Sequence, residues 1–224
     1  MLTFDQPTKA RYQARVEAHR IADEIVQGSS WTGSKGCAIG CTLENYDHAQ
    51  YEHELGVPRV LAHLIDAIHE GLPHEASKSW PGRVLAAISC GVDLSHVWPQ
   101  FAIWLLTIEA RSESGIDVAA LYQRRLDGDE PTKEQWAASA ASAARAAWAA
   151  SAASAASAAW AARAASAASA AWAAWAESAA WAESAAWAES AARTASAAWA
   201  ASAARAASYQ RQADHLIALF ELVQ

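Results

Sequence analysis

Apolar residues recur at helical spacing through the first half of the chain and nowhere alternate at period two for more than a few positions. Over residues 8–26 the positions Val16, Ala18, Ile21, Ala22, Ile25 and Val26 gather on one side, which predicts an amphipathic helix ended by Gly28. The next stretch, GSSWTGSKGCAIGCT (28–42), is dense in Gly and Ser and predicts a loop. Tyr46 to Leu55 predicts a short helix closed by Gly56. Pro58 opens another, with Val60, Leu61, Leu64, Ile65 and Ile68 as its apolar stripe and Gly71 with Pro73 as its stop. A short helix follows within 77–91, with Pro81 near its start. Asp93 or Ser95 then caps a helix over 94–111 that carries Pro99 in its first turn. A last short helix spans about 115–126. A series of helical patterns without strands predicts an all-α fold.

At Trp136 the pattern changes. From there to Ser208 every third residue is Trp, Ser or Arg, and the two between are small, almost always Ala-Ala. An α-helix repeats every 3.6 residues and a strand every 2, so neither sets this period. Trp136, Trp148, Trp160 and Trp172 lie twelve residues apart, and each is rotated by about 120° from the last on an α-helix. A straight helix therefore gives them no common face. Alanine is the best helix former, which favours α-helical segments folded back so that Trp packs against Ala. The alternative is a 3₁₀-like winding that aligns every third residue, although such runs are usually short. Trp136, Trp148, Trp160, Trp172, Trp175, Trp181, Trp187 and Trp199 are the packing and assembly positions on either reading. Expansion of a nine-nucleotide repeat produces the same phase; against drift alone, Trp and Arg of the tract fall only in phase. The segment DGDEPTKEQW (127–136) reads as a helix start. At the other end Leu216, Leu219, Phe220 and Val223 form an amphipathic stripe that must dock on something. This divides the chain into a compact helical domain, 1–128, and an Ala/Ser/Trp region, 129–224.

Charge narrows the partners. The net charge is −7, and the triplet tract sets Arg145, Arg163, Arg193 and Arg205 against Glu177, Glu183 and Glu189, so the acidic excess lies elsewhere. No clustered basic face is available to neutralise phosphates, which excludes duplex nucleic acid as the expected partner. The first residues contain no apolar run of secretory length, and Phe101 to Ile108 is too short to span a bilayer. Residues 146–162 carry no charge, but Ala and Ser supply too little apolar area for insertion. The expectation is a cytoplasmic protein whose partner is itself or another protein. Three cysteines do not form a disulfide framework and read as reduced thiols.

The densest set of reactive side chains is Cys37, Cys41, His48 and His53. All four are zinc-ligand types, and the C-x3-C-x6-H-x4-H spacing is not that of a zinc finger. The competing reading packs the two thiols under the loop and leaves the histidines on a helix surface, with no cofactor. A Cys–His pair with Glu52 or Glu54 orienting the base is a third arrangement. The loop GSSWTGSKG falls short of a phosphate-binding loop because Ser34, not Lys, follows Gly33.

The stretch over about residues 15–108, with Lys35, Gly36, Cys37, Gly40, Cys41 and Thr42 in a KGCxxGCT loop, Tyr46, His48, Tyr51 and Glu52 in a Tyr-x-His-x-x-Tyr-Glu segment, and Leu55, Gly56 and Pro58 in a Leu-Gly-Val-Pro run, resembles a group of uncharacterised bacterial and phage proteins with Ser/Ala/aromatic repeat tails. The resemblance implies an architecture and no mechanism. The tail alone is similar in composition to Ala-rich immunity-type proteins of bacterial toxin systems. The function expected from the sequence is a non-enzymatic interaction or assembly protein. The alternatives are a metal- or thiol-dependent enzyme built on the Cys/His set and an immunity-type binding protein.

Overall fold

The computed structural model describes residues 4–109, 113–139 and 202–223, with side-chain surroundings in the second span given from residue 116. The fold is all-α: among the described residues there is no strand, and the only β pairing is a pair of isolated bridges onto Gly36. The elements are α1 (Gln6–Ile21), α2 (Ala38–Leu43), α3 (His48–Leu55), α4 (Arg59–Gly71), α5 (His74–Ala87), α6 (Val97–Trp104), a π-helical turn (Leu105–Glu109) and α7 (Glu113–Leu126). Residues 133–139 and 202–222 are also α-helical.

Helix α1 ends five residues earlier than the apolar pattern predicts. Asp23 adopts a left-handed backbone (φ 56°), which turns the chain out of the helix after Ile21. Ile21 is consequently 74% exposed, while Ile25 enters the core from the loop and pairs with Gly36. Asp5 caps the other end by accepting from the Thr8 amide at 2.9 Å. Lys9 Nζ donates to the carbonyls of Ala86 and Ile88 (2.9 and 2.6 Å), fastening α1 to the end of α5.

The predicted loop 28–42 contains a helix. Its glycines serve close approach: a methyl group on Gly36 or Gly40 would overlap the Ser30 carbonyl oxygen. That oxygen accepts from the Cys37 amide at 3.2 Å, and Gly36 exchanges backbone hydrogen bonds with Glu24 and Val26. The Gly-rich segment is thus a pinned seat on which α2 starts. Pro81, expected near a helix start, lies well inside α5, because that helix begins at His74 directly after Pro73. Trp80 beside it is fully buried, and its indole N–H donates to the Ile65 carbonyl at 2.9 Å, joining α5 to α4.

The boundary drawn at 128/129 leaves one core helix on the wrong side. Ala213, Leu216, Leu219 and Phe220 of the 202–222 helix are buried in the same hydrophobic core as α1–α6. Gly71 lets α4 approach the Tyr209 ring, Arg83 pairs with Asp214 at 2.9 Å, and the His215 ring stacks on Trp104 at 4.2 Å. Glu109, at the end of the π-helical turn, accepts from Ser208 (2.6 Å) and takes two hydrogen bonds from the Arg211 guanidinium (2.9 and 2.6 Å). Trp136 is held on the entry side, its ring 4.8 Å from that of Tyr122. Tyr122 in turn contacts Trp98, Trp98 contacts Phe101, and Phe101 contacts His215, with no centroid step longer than 6.4 Å. The chain therefore leaves and rejoins one domain on either side of residues 140–201. The winding expected for the tract and the positions of Trp148, Trp160, Trp172, Trp175, Trp181, Trp187 and Trp199 lie outside the described residues.

Candidate functional site

The polar side chains with the least ordinary surroundings meet where α2, α3 and α4 join, around Asp66. Asp47 caps α3 by accepting from the amides of Ala49 and Gln50, which fixes His48 as the first helical residue and turns its ring inward. His48 is only 8% exposed. Its ring lies flat on the exposed His63 ring of α4, with centroids 3.9 Å apart and planes 16° off parallel, and the Tyr46 ring meets its edge at 5.0 Å. His48 Nε2 stands 3.5 Å from Asp66 Oδ2, longer than an ordinary hydrogen bond. The Tyr46 hydroxyl donates to that same oxygen at 2.9 Å. His48 Nε2 and Asp66 Oδ1 are buried without a hydrogen-bond partner.

The electrostatics follow from burial around one carboxylate. Burial, with repulsion from His63 second, pushes the His48 imidazole below its ordinary value, and Asp66 opposes the shift. The Cys37 thiol lies near Asp66 and is pushed up to about 12, first by burial and then by the neighbouring carboxylate. Tyr46 rises to about 12 for the same two reasons in the same order. Tyr51, fully buried below, is pushed up by burial and by Asp66. A protonated thiol beside a carboxylate is a hydrogen-bond donor and not a nucleophile.

Of the four residues expected as zinc ligands, Cys37 and His48 come to Asp66, and the other two do not. Cys41 turns its thiol toward the carbonyls of Gly36 (3.3 Å) and Glu24 (3.5 Å), and burial pushes it up to about 11. His53 is exposed in the last turn of α3. Glu52 is exposed as well, and Glu54 pairs with Arg11 at 3.5 Å instead of orienting a base. Among the described residues no group of three or more His, Cys, Asp or Glu side chains is placed to hold a metal ion, so the set Cys37, Cys41, His48 and His53 is not assembled. Cys37, Cys41 and Cys90 are free thiols. Sequence reasoning passed over His63; its spacing of three residues from Asp66 on α4, which puts both on one face, was the available signal. Trp80 belongs to the core, and Trp98 and Trp104 pack against it.

Among the described residues no helix is long and apolar enough to cross a membrane. A scan against protein-family models gave no match, and searches of curated proteins and of solved structures gave none either.

Proposed function

We propose that this chain is a non-enzymatic interaction and assembly protein, in which a helical domain grips both ends of the Ala/Ser/Trp tract and presents it to a second copy. The observation that carries the reading is the burial of Leu216 and Phe220, beyond the tract, in the core formed by the helices before it. A dispensable tail needs no return helix built into the core. The protonated, buried thiols of Cys37 and Cys41 weigh against thiol chemistry at either cysteine of the Cys/His set. Free thiols and an acidic balance fit a cytoplasmic protein that binds protein and not nucleic acid.

Replacement of residues 140–201 by a Gly/Ser linker of about twenty residues, which spans roughly 25 Å, leaves the domain intact on this reading. The expected result is a monomer, with a loss of hydrodynamic size well beyond the mass removed, measured by light scattering after size exclusion. An unchanged oligomeric state overturns the proposal. Changing the tract Trps to Ala is expected to have the same effect without altering length.

A further inference from the structure

We propose that the His48–His63 stack is an acid-sensitive latch: proton uptake parts the start of α3 from α4 and uncovers the Cys37 thiol. This does not depend on the assembly reading. The closed junction is built for a neutral His48. Its ring is more than nine-tenths buried, lies at the N-terminal end of a helix, and stacks on a second imidazole. The groups facing it come from the preceding loop and from α4: Tyr46 from the loop, and Arg59, His63 and Asp66 from α4, while Cys37 at the cap of α2 reaches the same Asp66. On its own helix, Asp47 is engaged in capping and Glu52 is exposed one turn on. Asp66 alone among those facing groups favours a cation at His48, and its nearer oxygen already accepts from Tyr46. His63 is exposed, and its ring lies against His48 with centroids 3.9 Å apart.

The sign follows from linkage. A histidine whose closed-state value is depressed holds the junction shut at pH values above the ordinary imidazole range, near 6.5. As pH falls below that value the open form binds the proton more tightly, and its population rises by up to about tenfold per pH unit until the depressed value is reached. Opening reaches Cys37 because that residue caps α2, which packs on both α3 and α4, and because its thiol shares Asp66 with Tyr46.

The test is the rate at which 4,4′-dithiodipyridine modifies Cys37 in the full chain between about pH 7.5 and about pH 5.5, with sites assigned by mass spectrometry. Cys90, which is partly exposed, gives the reference rate, and buried Cys41 reports wider unfolding. The expected result is a rise of several-fold, up to about tenfold, in the Cys37 rate relative to Cys90, with Cys41 unmodified. His63→Asn, at an exposed position, is expected to cut that rise by roughly half or more, and His48→Asn to abolish it. A Cys37 to Cys90 ratio that stays constant with pH, an equal rise in His48→Asn, or modification of Cys37 and Cys41 together overturns the latch.

Discussion

Replacing Gly40 with alanine will destabilise the fold by about 2 kcal/mol, whereas the same change at Gly82 will stabilise it by about 0.5–1 kcal/mol. Both glycines lie inside helices, α2 and α5, where alanine is intrinsically favoured because glycine loses more backbone freedom on folding. At Gly82 the added methyl group meets only Val16 Cγ1 at 3.9 Å, an ordinary contact. At Gly40 it would overlap the Ser30 carbonyl oxygen, which is backbone and is held by the Cys37 amide. Moving that carbonyl disturbs the seat of α2, and overpacking of this kind costs about 1–3 kcal/mol or more, which outweighs the gain in propensity. For a chain of this size the Gly40→Ala midpoint should fall by about 4–8 °C in a thermal melt. Shifts of the same sign in the two variants would show that the Gly40 approach does not decide the packing of this loop.

How much of this was legible depended on whether a residue's partner lay nearby in sequence. The stripe of α4 was readable: Leu61, Ile65 and Ile68 are buried as their spacing predicts, although Val60 at the helix start is exposed. Gly56 closes α3 in a left-handed conformation, as a glycine after an amphipathic run should. The end of α1 was not readable, because Ile25 and Val26 continue the helical period while Asp23 has already turned the chain. Helix α2 was hidden because glycines that usually mark a loop are here required by the Ser30 carbonyl, and a contact between residues 30 and 40 has no signature in periodicity. The junction at Asp66 was half legible. Cys37 and His48 could be picked out by residue type, but the carboxylate that gathers them belongs to another helix. Cys41 is drawn away by two backbone acceptors that no side-chain motif reveals. Likewise, the amphipathic pattern near residue 220 announced a docking helix without saying where it docks.

That docking site makes residues 1–128 an incomplete domain, and a chain ending there is expected not to fold. Phe220 has no exposed surface, and Phe220→Ala alone should cost about 3–5 kcal/mol through lost burial and a residual cavity. Leu222, 78% exposed on the other face of the same helix, sets the comparison: Leu222→Ala should change stability by less than about 0.5 kcal/mol. Domains are stable by only about 5–15 kcal/mol in total. Losing Phe220, Leu216, Leu219 and Ala213 together removes an amount of that order, and it also takes Asp214 from Arg83. Circular dichroism of a chain of residues 1–128 should therefore show no cooperative melt, while the chain with 140–201 replaced by a linker should melt cooperatively. If residues 1–128 instead melt cooperatively near the temperature of the full chain, the return helix is an accessory, and the argument that the domain grips both ends of the tract fails with it. If neither chain folds, residues 140–201 themselves supply stability. If the outcome is as expected, the domain is completed by residues on the far side of the repeat.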